Sequence, residues 1–159
     1  MKFSRTLKLK FRPLFRALIR FLKYYSYQTH YVEGDGGELV LGKNVGLCNT
    51  LFNTESGNIH VGDNTIFGYN ALVLTGTHIF KNGVRLSVLS GKSAGSEVPR
   101  HGRDINIGKN CWVASGAIIY GPCNIGDSVI IAAGSIVTGE VSSNSIIAGV
   151  PGRIVGRND

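Results

Sequence analysis

Along the second half of the chain, aliphatic side chains return every six residues, at Ile107, Val113, Ile119, Ile125, Ile131 and Val137. Four residues after each of them comes a second series, Cys111, Ala117, Cys123, Val129, Ser135 and Val141, whose members are all small or β-branched. The same coupled registers run through Val61, Phe67 and Val73 with Thr65, Ala71 and Thr77, and more faintly through Leu41 and Leu47 with Val45 and Leu51. A period of six fits neither the 3.6-residue turn of a helix nor the long two-residue alternation of a strand. It fits short strands joined by turns, three to a triangular coil, stacked so that the aliphatics fill the axis. The small residue of the second series fits because bulk there would crowd a corner. The pattern predicts an all-β solenoid of about four coils, 41–58, 61–78, 107–124 and 125–142, the first imperfect.

Between Ile79 and Ile105 the register disappears, and Gly83, Gly91, Gly95, Pro99 and Gly102 punctuate the gap, which predicts an extruded loop over 79–104. Irregular segments of that length in a compact domain are functional or disordered. After Val141 the sequence SSNSIIAGVPGRIVGR changes in composition, as the cap of a solenoid must, and 142–159 is assigned to it. Near the other end, Leu14, Leu18, Phe21, Leu22 and Tyr25 recur at helical spacing, with Arg12, Arg16, Arg20 and Lys23 between them. Residues 1–32 therefore read as a basic amphipathic helical segment, and 33–159 as the solenoid.

Composition sharpens this picture. A chain of 159 residues suits one domain, and 22 glycines with only four prolines suit regularly spaced turns better than flexible linkers. Residues 1–32 hold eight Lys/Arg and no acid, which leaves nine basic and ten acidic residues elsewhere, so the solenoid offers no basic groove for nucleic acid. Cys48, Cys111 and Cys123 form neither a metal-binding pair nor an even disulfide set, which points to a reducing compartment. Cys111 and Cys123 fall in the inward small series and read as core residues rather than nucleophiles. Arg16, Arg20 and Lys23 interrupt every apolar run that a secretory signal or membrane span would need. The expected location is the cytoplasm, with residues 1–27 either on the anionic inner face of the membrane or packed on protein.

Three blocks, VGDNTIFGYN…TGTH at 61–78, INIGKNCWVASGAII at 105–119 and IIAAGSIVTGEV…IIAGVPGRIV at 130–155, resemble the hexapeptide-repeat acetyltransferases. The likeness covers roughly residues 38–157 and is greatest to the galactoside, maltose and polysaccharide O-acetyltransferase branch. It implies a left-handed parallel β-helix, a homotrimer, acetyl-CoA as donor, a hydroxyl-bearing sugar acceptor, no metal, and active sites between neighbouring subunits.

Acetyl transfer from a thioester to an alcohol needs a base for the hydroxyl proton and donors for the tetrahedral oxyanion. Of His30, His60, His78 and His101, only His78 ends a regular coil at the mouth of the loop, and it also matches the family's catalytic histidine. Asn49 matches, with a one-residue slip, the family's acceptor-binding asparagine; the other reading is a structural asparagine ladder. Asp63 and Glu55 are candidates to orient His78, although Asp63 sits in a VGDN turn like IGDS at 125–128 and is better read as a turn residue. The family's CoA-contacting positions map onto Trp112, Ser115, Ala133, Thr138 and Arg153, with the Ser115 backbone N–H as candidate oxyanion donor. Trp112 flanks the CoA tunnel or simply packs at the surface. Where many relatives have a lysine after the threonine, this chain has Gly139, leaving a phosphate contact either missing or supplied by Arg157.

Other readings stay in view. A zinc hydrolase on the same architecture needs two histidines a few residues apart after the coil, and none follows His78 until His101. A non-catalytic β-helix explains the repeats but not His78, Asn49 and the donor block together. Serine acetyltransferases carry a larger helical N-terminal domain, and xenobiotic acetyltransferases a longer insertion. Arg85, Lys92, Arg100 and Arg103 of the loop either meet an acidic acceptor or are solvated.

Overall fold

The computed structural model describes residues 13–14, 16–22 and 30–159. The chain winds as a parallel β-helix of about six turns. The first face stacks β2 (Leu39–Leu41), β4 (Ile59–Val61), β9 (Ile105–Ile107) and the C-terminal halves of β11 (Ile118–Ile125) and β13 (Ile136–Val141). The second stacks β5 (Ile66–Phe67), β10 (Trp112–Val113), β12 (Ile130–Ile131) and β14 (Ser145–Ala148). The third stacks β1 (Tyr31–Glu33), β3 (Leu51–Asn53), β6 (Leu72–Leu74) and the N-terminal halves of β11 and β13. Strand pairing thus starts at Tyr31. It ends on β15 (Arg153–Arg157), which folds back antiparallel on β14 and closes the stack within the segment read as a cap.

Parallel in-register stacking puts equivalent residues directly over one another, about 4.8 Å apart. Three inward columns result: Val61–Ile107–Ile125–Val141, Phe67–Val113–Ile131–Ile147 and Phe52–Val73–Ile119–Val137. Every one of these residues is buried, as are all six members of the small second series from Cys111 to Val141. The first coil departs from the pattern at Leu41, which is exposed because among the described residues no further coil lies beyond β2.

Between the first and second faces, each coil turns on a residue with positive φ: Asn44, Asn64, Asn110, Ser128 and Asn144. Asparagine tolerates that conformation better than most residues. Two residues earlier the coils touch, and a Cβ on Gly108 would lie 2.5 Å from the Gly126 backbone. Asp63 Oδ1 accepts from Lys43 N at 2.7 Å, and Asp127 Oδ1 accepts from Lys109 N at 2.7 Å. Asp63 is therefore a turn residue.

The third corner is short elsewhere, but after β6 it extrudes the long loop. That loop is neither structureless nor disordered. β7 (Phe80–Lys81) and β8 (Val84–Arg85) form a hairpin around Asn82 and Gly83, whose φ values of 51° and 76° suit a type I′ turn. One helical turn, Leu86–Leu89, follows. The Asn-Gly pair between short apolar positions was the overlooked signal.

At the start of the described chain, residues 13–14 and 16–22 are helical and exposed. The rest of the predicted amphipathic segment up to residue 29, Tyr25 included, lies outside the described residues, and its last two residues, Tyr31 and Val32, belong to β1 rather than to a helix. No helix among the described residues is long and apolar enough to cross a membrane.

Because Ile119 is fully buried in the middle of the third-face column, Ile119→Ala should cost about 2–5 kcal/mol. Urea unfolding of wild type and variant measures this directly.

Candidate active site

His78 stands where the chain leaves the third face. Thr75 is buried, its hydroxyl donating to Asn53 O at 2.8 Å, and the Gly76 N–H donates to Asn53 Oδ1 at 2.8 Å. Gly76 must be small, since a Cβ would sit 2.7 Å from that oxygen. One level on, Tyr120 Oη donates to Thr77 Oγ1 at 3.1 Å. The loop's return is pinned by Arg103, which stacks 4.5 Å over the Tyr120 ring and donates to the Thr75 and Gly121 carbonyls. His78 thus projects from a fixed edge, its side chain 52 % exposed.

The returning loop brings it a partner. Glu97 Oε1 lies 3.0 Å from His78 Nδ1, and the Glu97 side chain is fully enclosed. The other carboxylate oxygen accepts from Gly95 N at 3.1 Å, and Arg85 Nη1 lies 3.8 Å from Oε1. Backbone hydrogen bonding holds the Glu97 pKa down at about 2, against the opposing effect of burial. The Ser87 hydroxyl, buried beside it without a hydrogen bond of normal geometry, and His78 itself add to the lowering. An ionised carboxylate only accepts, so Nδ1 carries a proton, and in the neutral ring Nε2 is left with its lone pair.

Beside the ring opens a cleft of about 250 Å³ lined by Asn53, Glu55, Leu74, Gly76, Thr77, His78 and Val98. Asn53 spends its carbonyl oxygen on Gly76 and Glu55 backbone N–H groups, and its Nδ2 has no partner among the described residues. Glu55 is bonded to Arg100, at 3.2 Å, and not to His78. Arg100 also pairs with Asp35. Of the four basic loop residues, Arg85, Arg100 and Arg103 thus face acids or carbonyls, and Lys92 is exposed.

The remaining sequence-derived positions lie elsewhere on the protomer. Asn49 Nδ2 donates to Asn70 Oδ1 at 2.7 Å, and Asn70 N donates to Asn49 Oδ1 at 2.7 Å, so the two form a ladder at the corner between the second and third faces. The slip is real: Gly46 lies opposite Ile66, twenty residues on, but Leu51 lies opposite Leu72, twenty-one on. Ser115 occupies the same corner one level up, its Oγ accepting from Tyr69 N at 3.1 Å. Ser115 is exposed, and its N–H makes no backbone hydrogen bond among the described residues. Ala133 follows, since Gly134 N donates to Ser115 O at 3.1 Å. Trp112 is half exposed on the second face, between Ile66 and Ile130. Arg153 pairs with Ala148 on that face's last level.

Within one protomer His78 and Ser115 stand at opposite edges of the third face: the turn at Ser115 and Gly116 and the extended Ile118–Tyr120, about 10 Å long by itself, separate Ser115 from the Tyr120 that touches Thr77. Thr138 lies on the His78 side of the third face, its hydroxyl 3.4 Å from Pro122 O. Gly139 stands where the β11–β13 register shifts, opposite Cys123, and its φ of 75° is one that glycine adopts readily. Arg157 is engaged with Asp159 at 3.5 Å. Sequence reasoning missed Glu97 and Asn53, the first because it lies in a segment without periodicity. Among the described residues no three His, Cys, Asp or Glu group as metal ligands.

Residues 104–139 match the bacterial transferase hexapeptide (six repeats) family. A maltose O-acetyltransferase from Clostridium difficile 630 is 25 % identical, with 83 % of this chain and 68 % of that one covered and a TM-score of 0.59. A galactoside acetyltransferase in complex with coenzyme A shares the fold at 20 % identity and a TM-score of 0.62, covering 99 % and 92 % of the two chains. So does a hexapeptide-repeat acetyltransferase from Vibrio cholerae O1 biovar eltor complexed with acetyl coenzyme A, at 17 % identity and 0.62, covering 91 % and 78 %. No curated protein sequence matches the chain.

The lowered Glu97 pKa has a consequence for stability. The folded state holds this carboxylate ionised below the usual pKa of 4.5, so its stabilising contribution is present above that pH and is lost as pH falls towards about 2. Wild type should be more stable than Glu97→Gln at neutral pH, and the difference should shrink across that window in denaturant titrations.

Proposed function

We propose that the protein transfers an acetyl group from acetyl-CoA to a hydroxyl of a sugar or polysaccharide intermediate, with His78 as general base. The observation that carries this reading is the His78–Glu97 pair opening onto a cleft that Asn53, Glu55 and Thr77 help to line. The coenzyme complexes of the galactoside and Vibrio proteins support acetyl-CoA as donor. Asn53, Glu55 and Thr77 suit the hydroxyls of an acceptor, and the engagement of Arg85, Arg100 and Arg103 favours an uncharged one.

In the reaction, Nε2 takes the acceptor's hydroxyl proton as its oxygen attacks the thioester carbonyl. Glu97, held ionised, keeps the ring in the right tautomer and stabilises the imidazolium that forms. The oxyanion is received by the Ser115 N–H. When it collapses, the C–S bond breaks and the imidazolium returns the proton to the departing thiolate.

This requires groups from two protomers. The third face carries an outward column of Leu51, Leu72, Ile118 and Ile136, whereas the first presents His60, Asn106, Asn124 and Glu140. Three protomers turning the apolar column towards a threefold axis meet head to tail along that face's two edges. The His78 edge of one, with Thr138, then faces the Asn49, Ser115 and Ala133 corner of the next, with Trp112 and Arg153 nearby for the CoA arm.

Sedimentation at micromolar concentration should show a trimer, and a monomer would exclude the shared site. In steady-state kinetics His78→Ala should lower kcat by about 10²–10⁴-fold while leaving CoA binding intact. Arg153→Ala should mainly raise the donor KM. A His78→Ala enzyme retaining more than about a tenth of wild-type kcat would remove His78 from the role of base.

A further inference from the structure

We infer that the helical segment at residues 13–14 and 16–22 is an interfacial anchor that lays the protein on an anionic lipid surface. Leu14, Leu18, Ile19, Phe21 and Leu22 are each about half exposed or more, a concentration of large apolar surface found on no other helix among the described residues. At about 100° per residue, Leu14, Leu18, Phe21 and Leu22 fall within roughly 100° of arc, while Arg16 and Arg20 project from the opposite side. A helix with that division sinks its apolar stripe to the acyl boundary and leaves its cations among the headgroups.

Charge selects the occupant. Residues 1–32 carry eight Lys/Arg and no acid, whereas the β-helix body has nine basic and ten acidic residues. Packing the apolar stripe on its counterpart in a second copy would bury the stripe but leave the cations of the opposite side without a partner. Packing it on the near-neutral body would leave the eight charges without a function. A membrane leaflet rich in anionic lipid satisfies both halves of the helix, since each Lys or Arg near such a surface is worth about fivefold in partitioning at low salt.

The test uses the full chain and sedimenting vesicles of phosphatidylcholine, with and without phosphatidylglycerol. Wild type should pellet with the anionic vesicles at low salt, stay in solution with the neutral ones, and be released as ionic strength rises. Arg16→Glu with Arg20→Glu, and separately Leu18→Asp with Leu22→Asp, should each lower the partition coefficient about tenfold or more, with acetyl transfer unchanged. Three outcomes would overturn the inference. Wild type fails to bind anionic vesicles at low salt; both double variants bind as wild type does; or the Leu18→Asp, Leu22→Asp protein changes its oligomeric state in the absence of lipid, which would assign the apolar stripe to protein packing.

Discussion

Every feature of this molecule depends on coils lying directly over one another at strand spacing, so that each inward position meets its own counterpart above and below. Val113 packs on Phe67 and Ile131, and Ile119 on Val73 and Val137. Such columns have no tolerance for a polar or oversized member, because the error is shared with both neighbours. The backbones themselves come close at the first corner, where Gly42, Gly62, Gly108 and Gly126 would each bring a Cβ within 3 Å of the next coil. Asparagine and aspartate then complete those corners, one taking the left-handed conformation and the other accepting a backbone N–H from the coil before.

That rigidity is what makes an edge usable as a site. His78 leaves the stack just after Gly76, whose N–H donates to Asn53, and Thr77, whose hydroxyl Tyr120 meets, and the loop needs only to return a carboxylate to it. Enclosing Glu97 would ordinarily favour its neutral form, but the hydrogen bonds of the loop backbone outweigh the desolvation and keep it charged. Arg103 fastens the loop's return to the coil. The pair therefore joins two kinds of structure: a periodic scaffold that fixes position, and an aperiodic segment that supplies the charge.

On the proposed mechanism, the same geometry leaves a single protomer incomplete as a catalyst. The third face separates the histidine edge from the corner that holds Asn49, Ser115 and Ala133. A triangular prism separates its corners by the width of a face, so chemistry needing both must be assembled between copies. The apolar column of Leu72, Ile118 and Ile136 on the intervening face supplies a physical reason for them to associate.

By itself the sequence determined the solenoid, its inward columns, the place where the coils are interrupted and the histidine at that point. Those properties follow from local periodicity, and periodicity survives in one dimension. The tertiary structure alone decided which acid stands behind His78, that Asn53 rather than Asn49 lines its cleft within the protomer, and that three of the four loop cations are already engaged. Glu97 lies nineteen residues from its partner across a hairpin and a helical turn, and nothing repeats there to fix a register. Asn49 and Asn53 are four residues apart, yet the strand β3 carries one to the second corner and the other to the third. Which side chains share a space depends on how the loop closes and where the corners fall, and both are decided only when the coils stack.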